Sequence, residues 1–246
     1  MKDTQKINEL NDIAKDYHLN ENVPDKFIED ICQRYCCDWL ESFVKYDTAN
    51  VLELGYGEGI TSSRLSKKTK NYSILEGSSY LIDRIKKEHP SINIINSLFE
   101  EYTPKEKYDL IFALHVFEHV DDSVLLARRI RSWLKNSGEM IVVVPNKESI
   151  HRRLAVKMGL IPTLDTLSDR DKLVGHKKVY SLETLKHDFL MAGYRIIEEK
   201  GFFLKPLANS MMLDYSDELI YALNECSHEI PPELSANIAI RVSLDT

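Results

Sequence analysis

Residues His115 to His119 read HVFEH, two imidazoles and a carboxylate within five positions. On a continuous helix the pattern H-x-x-E-H sets both histidines on one face, where they can grip zinc with the glutamate beside them as general base. The flanking residues predict a different setting. The five follow directly on the apolar run DLIFAL, which has strand composition, and Asp121 and Asp122 read as the start of a helix, so the segment is a strand-to-helix turn. No third ligand is evident at zinc-site spacing, so no metal is expected. At such a turn His119, with an unperturbed pKa of about 6.5, suits a general base for an alcohol, phenol or ammonium that must lose a proton. The alternative is a histidine that only hydrogen-bonds the turn. Glu118 is expected to face solvent or to cap locally.

A second chemical stretch is ELGYGEG, with Glu53, Gly55, Tyr56, Gly57 and Gly59 at the end of the apolar run NVLELG. Glycines at the carboxyl edge of a strand let the chain turn tightly and let a ligand approach bare backbone. About twenty residues on, Glu76 and Gly77 close the next apolar run, where an acidic side chain can accept both hydroxyls of a ribose. The ligand is therefore expected to be a nucleoside. The dinucleotide pattern G-x-G-x-x-G would place its third glycine at Ile60, one residue later than Gly59, which argues against NAD.

The order acid, x, Gly, x, Gly, x, Gly resembles the first motif of class I S-adenosylmethionine-dependent methyltransferases. YDLIFALHVFEHV resembles that family's fourth-strand segment, and NSGEMIVVVPN its following turn and fifth strand, so the likeness covers about residues 49–200. It implies an α/β, Rossmann-like, doubly wound seven-stranded sheet, mostly parallel with an antiparallel last strand. It also implies S-adenosylmethionine as cofactor and S-adenosylhomocysteine as product. On this reading Ser97, Leu98 and Phe99 flank the adenine, Leu114 and His115 lie beside the methionine or sulfonium portion, and His119 faces the acceptor. Tyr17 becomes a candidate lid residue over the cofactor, or else packs on the domain surface. GHKKVYSLETLKHDFLMAGYRI resembles the back part of small-molecule methyltransferases of the type 11/12 kind, including toxoflavin-type N-methyltransferases and enzymes of glycan pathways.

The elements that must position these residues follow from periodicity. Two helices separated by YHLNENVP precede the first strand, and 1–47 reads as a helical cap. From Ala49 strands NVLELG, SILEG, INIINS, YDLIFAL and EMIVVVP alternate with helices GITSSRLSKK, SYLIDRIKKEH and SVLLARRIRSWLK, the rhythm of a parallel sheet with crossover helices over 48–145. Residues 146–180 hold a short helix and then a polar, poorly periodic excursion that reads as a lid. Ser181 caps a helix stopped by Gly193, and two β-rich stretches with a helix between them complete 181–246.

The excursion carries His151, Arg152, Arg153, His176, Lys177 and Lys178. These form either a solvated basic face or, through His151, Arg152 and His176, a grip on an acidic or phosphorylated acceptor. With 246 residues, 43% of them apolar, one α/β domain is expected, and the net charge of −7 disfavours nucleic acid as partner. Cys32, Cys36, Cys37 and Cys226 lack a zinc-like set and read as free thiols. No apolar run suggests a membrane span or signal peptide, which predicts a cytoplasmic monomer or homodimer. The leading expectation is methyl transfer to oxygen, or nitrogen, of a small metabolite in a biosynthetic pathway. A catalytically silent nucleoside-binding module and an NAD-dependent oxidoreductase are the alternatives.

Overall fold

Continuous apolar runs with strand propensity become the central strands of a sheet covered on both faces, as parallel strands require. In the computed structural model, which describes residues 4–245, these are β1 (Asn50–Leu54), β2 (Asn71–Glu76), β3 (Asn93–Asn96), β4 (Tyr108–Leu114) and β5 (Leu134–Pro145). With β6 (Tyr194–Phe202) and β7 (Asn237–Leu244) they form one seven-stranded sheet in the order β3-β2-β1-β4-β5-β7-β6. The first five pair in parallel, and β7 runs antiparallel to both β5 and β6. This is the doubly wound, mostly parallel arrangement that the motifs imply.

Nine α-helices are assigned among the described residues: α1 (Thr4–Ile13), α2 (Lys26–Glu41), α3 (Ile60–Leu65), α4 (Ser79–Glu88), α5 (Ser123–Arg131), α6 (Ile150–Lys157), α7 (Asp169–Leu173), α8 (Leu182–Met191) and α9 (Asp217–Glu225). Alternation along a strand sends neighbouring side chains to opposite faces. Ile111 and Ala113 join Leu126, Ile130, Leu185 and Phe189 of α5 and α8 on one side. Phe112 joins Leu40, Leu65, Leu81 and Ile85 of α2, α3 and α4 on the other. The strand order reverses between β1 and β4, and the crevice at their carboxyl ends is where such sheets bind ligands.

Local signals set several boundaries. Ser181 makes a capping box with Thr184, and Gly193 ends the segment at φ 85°. Two expectations shift. The segment SVLLARRIRSWLK leaves the helix at Arg131, because Trp133 packs against Tyr102 with ring centroids 5.2 Å apart and Leu134 pairs with Tyr108 in the sheet. Burial of that pair outweighs helix propensity. The excursion over 146–180 is also more ordered than its pattern suggests, since Ser168 and Asp171 nucleate α7 with a reciprocal capping box.

Candidate active site

At the carboxyl ends of β1, β2, β4 and β5 lies a cavity of about 610 Å³, a size that encloses one nucleoside-scale ligand. It is lined by Tyr17, Glu53, Gly55, Tyr56, Gly57, Glu76, Gly77, Ser97, Leu98, Phe99, Leu114 and His115, with His119, His151, Arg152 and His176 on the same wall system. Of the residues expected to bind cofactor or acceptor, Gly59 alone is not among its lining; Glu118, Arg153, Lys177 and Lys178 lie off it as well. Gly59 caps α3 at φ 78°, and a β-carbon there would sit 2.2 Å from the Tyr56 hydroxyl oxygen, so it accommodates Tyr56. Gly57, at φ 53°, has nothing within 4 Å of such a carbon. Its backbone lies bare to the cavity in a left-handed conformation that side chains resist.

Two acids back this turn. Glu76 accepts the backbone N–H of Tyr56 at 3.0 Å and that of Ser78 at 2.7 Å, which aims a buried carboxylate at the glycine turn; burial nevertheless raises its pKa. Glu53 accepts hydrogen bonds from Ser62 and, at 3.0 Å, from Tyr72. Burial pushes it up to about 8. It holds β1, α3 and β2 together behind the turn. The bare glycine backbone, the pre-set Glu76 carboxylate and the Leu98–Phe99 wall together fit an adenosyl group.

The amino-terminal helices close over this site. The chain leaves α1 through one π turn, Ala14–His18, and His18 Nδ1 meets Glu58 Oε1 of the glycine turn at 2.8 Å. Asn11 Oδ1 accepts Ser78 Oγ at 2.9 Å and Ser79 N at 3.0 Å. Tyr17 is buried, and its hydroxyl accepts Arg170 Nη2 of α7 at 2.6 Å, while Nη1 of the same arginine pairs with Asp25. The cap and the excursion are therefore clasped to each other across the cavity.

HVFEH sits in the strand-to-helix turn, as its neighbours predict: β4 ends at Leu114, Phe117–His119 form one 3₁₀ turn, and Asp122 caps α5. His115 takes φ 55°, a costly conformation for a non-glycine residue, and its N–H still extends the sheet to Val143 O at 2.8 Å. Glu118 contradicts its expectation. Its side chain is fully buried, Oε1 lies 3.2 Å from His115 Nδ1, and Oε2 has no hydrogen-bond partner, an omission that costs about 1–3 kcal/mol. Burial would raise its pKa, but the His115 contact and the surrounding imidazoles outweigh burial and lower it. His119, half-buried, has Nδ1 at 3.2 Å from Gly175 O. Burial lowers its pKa, favouring the neutral ring.

The basic residues of the excursion separate on inspection. Lys177 pairs with Asp121 at 2.5 Å, Lys178 donates to Ser123 Oγ at 2.6 Å, and Arg153 donates to Glu148 O. Arg152 and His176 converge, but on Asp171: Arg152 Nη1 reaches its Oδ2 at 3.1 Å and His176 Nδ1 its Oδ1 at 2.9 Å. Arg152 also braces the carbonyls of Leu164 and Thr166, so three of its donors are engaged within the excursion, while its Nε has no partner. His151 lines the cavity with Nδ1 unpartnered, and burial holds its pKa well below the ordinary value. Sequence reasoning misplaced Glu118 and missed Asp171 and a lining group in which Glu29 lies 3.9 Å from Arg170 and 4.0 Å from Lys205. The S-x-x-D spacing of Ser168 and Asp171 was a signal for Asp171, and H-x-x-E-H one for Glu118.

A seven-stranded sheet of this order, with a glycine turn and an acid at the ends of β1 and β2, defines the class of S-adenosylmethionine-dependent methyltransferases. A family model described as a methyltransferase domain matches residues 28–199, and the chain belongs to that family. Among curated relatives, malonyl-[acyl-carrier protein] O-methyltransferase 1 of Ilyobacter polytropus is 34% identical over 115 residues, 44% of this chain and 43% of that protein. A ubiquinone biosynthesis O-methyltransferase of Bradyrhizobium diazoefficiens is 31% identical over 101 residues, 39% of this chain and 40% of that one. The match thus spans less than half the length of either relative. The N-methyltransferase NodS of Bradyrhizobium japonicum, solved with S-adenosylhomocysteine, shares the fold with a TM-score of 0.59 at 13% identity, covering 98% of both chains.

Proposed function

We propose that this methyltransferase transfers its methyl group to an oxygen of a small metabolite in a biosynthetic pathway, with His119 as the residue that takes the acceptor's proton. The observation that carries this reading is His119 itself. It lines the cavity beyond Leu114 and His115, its Nδ1 is engaged by Gly175 O, and burial favours the neutral ring with a free Nε2 lone pair. When bound, the cofactor supplies an electrophilic methyl group on a sulfonium that is already a good leaving group. The chain's residues then have to bind, align and keep water out. Gly55, Gly57, Glu76 and Ser97–Phe99 would hold the adenosyl portion, and Leu114 and His115 the methionine end. Tyr17 and Arg170 close the cap and excursion over them. Alignment in a closed cavity supplies roughly 7–11 kcal/mol in favourable cases.

Oxygen is preferred over nitrogen because both curated relatives described above carry O-methyltransferase names. An anionic group on the acceptor suits the unpartnered His151 Nδ1 and Arg152 Nε. The test is transfer of labelled methyl from S-adenosylmethionine to a panel of carboxylates, phenols and alcohols by wild type and His119→Ala. We expect kcat to fall roughly a hundredfold to ten-thousandfold for acceptors that ionise poorly, with cofactor KM unchanged. Equal turnover by the variant on such acceptors would remove His119 from the chemistry.

A further inference from the structure

The excursion returns a partner to HVFEH. Glu118, His119 and His176 each place one donor atom within 4.8 Å of the others. We propose that these three side chains form a divalent-cation site of the zinc class, with a further coordination position open toward the acceptor.

Three observations carry this. First, both imidazoles are held from behind. His176 Nδ1 lies 2.9 Å from Asp171 Oδ1, and His119 Nδ1 lies 3.2 Å from Gly175 O. Donation of the Nδ1 proton to those acceptors leaves each Nε2 with a lone pair, and a carboxylate or carbonyl behind the ring is the usual support of a metal-ligating histidine. Asp171 is itself fixed by Arg152 and by Ser168. Second, Glu118 is fully buried with Oε2 unpartnered, while Oε1 lies 3.9 Å from His176 Nε2. A buried carboxylate oxygen with nothing to accept is a vacant ligand position. Third, two imidazoles and one carboxylate with an open fourth position are the donor set of catalytic zinc, and imidazole disfavours magnesium and calcium. Ligand atoms around tetrahedral zinc stand about 3.4 Å apart, as bonds of about 2.1 Å require. The trio closes to that spacing by side-chain adjustment of little more than an ångström.

The inference rests on the methyl-transfer reading for its chemistry. An acceptor hydroxyl on the cation releases its proton to water at lower pH than it does free in solution. The electron pair left on oxygen forms the O–CH₃ bond as the C–S bond breaks, with that bond's pair passing to sulfur. The cation thereby replaces the general-base role given to His119 above: the Nε2 lone pair is then held by the metal, and the cation takes over the acid–base task. Because His176 belongs to the excursion and Glu118 to the β4 turn, the ion also ties the lid down.

The experiment uses the full chain stripped with chelator and titrated with Co²⁺, read by its visible absorption, and with Zn²⁺, read by calorimetry, each beside an S-adenosylhomocysteine titration. We expect one equivalent of metal and protection of the 158–175 stretch from protease. Glu118→Gln and His176→Gln should weaken metal binding by roughly tenfold to a hundredfold or more, with His187→Ala, a surface histidine, unchanged. All three variants should keep S-adenosylhomocysteine affinity, which shows that they are folded. Binding unaffected by Glu118→Gln and His176→Gln would be adventitious and would overturn the site. Cofactor product that binds while neither metal does would overturn the cation site and leave the methyl-transfer reading standing. Failure of both ligands would overturn both readings.

Discussion

Glu76 does two jobs with one buried carboxylate: it fixes the Tyr56 and Ser78 backbones and presents the remaining lone pairs to the cavity. Removing it frees the glycine turn and deletes the acceptor proposed for ribose hydroxyls. Hydrogen bonds to charged groups are worth roughly 1.5–3 kcal/mol, so Glu76→Ala should weaken S-adenosylhomocysteine binding about tenfold to a hundredfold or more, measured by calorimetry. Unchanged affinity would mean that the cofactor lies elsewhere. Neighbouring glycines should separate structure from binding. Gly59→Ala drives a methyl into the Tyr56 hydroxyl at the start of α3, so its damage is to stability, beyond the roughly 1–2 kcal/mol of left-handed strain. Gly57→Ala meets no atom and suffers that strain alone, so its additional loss should fall on cofactor affinity. Thermal melts beside binding titrations of the two variants check the division.

At the scale of elements, the clasp between cap and excursion depends on Arg170. It joins α7 to Tyr17 of the π turn and to Asp25 ahead of α2. Arg170→Ala should leave the sheet intact and loosen the lid. The expected readout is faster limited proteolysis between Gly159 and Gly175 and faster release of S-adenosylhomocysteine, with little change in melting temperature. The strands and the helices framing them were legible because a doubly covered parallel strand must be apolar along its length, and because Ser181 and Gly193 punctuate α8 in sequence. The clasp was not. Helix α7 spans five residues, too few to show a period, and Arg170 finds Tyr17 only through the tertiary path of the chain. Glu118 was misjudged for a related reason. A glutamate is expected to be exposed, and its burial becomes reasonable only once His115, His119 and the distant His176 are seen around it. Local pattern therefore singled out residues that the fold gathers around one cavity, His119 and the glycine turn among them, while the contacts that Asp171 and Arg170 make from the excursion needed the fold.

At the scale of the whole molecule, two acids of one wall respond to pH in opposite senses. Glu53 is buried behind the turn, and burial raises its pKa from 4.5 to about 8. Its protonated form is favoured by folding, so its stabilising contribution is complete below pH 4.5 and is lost as pH rises through about 8. Glu58 is half-buried, which would raise its pKa, but His18 and Lys26 outweigh burial and hold it at about 2. Its contribution is present above pH 4.5 and is lost as pH falls toward 2. Glu53→Gln mimics the protonated acid at every pH, so wild type should lose melting temperature relative to this variant between about pH 5 and pH 9. Glu58→Gln removes the carboxylate that His18 clamps, so the advantage of wild type over it should shrink from about pH 6 to pH 3. Melting curves across that range decide the matter. If each variant runs parallel to wild type, the two carboxylates do not titrate with folding. If the slopes diverge as stated, Glu53 and Glu58 of the cavity wall each contribute to the pH dependence of the fold, one toward each end.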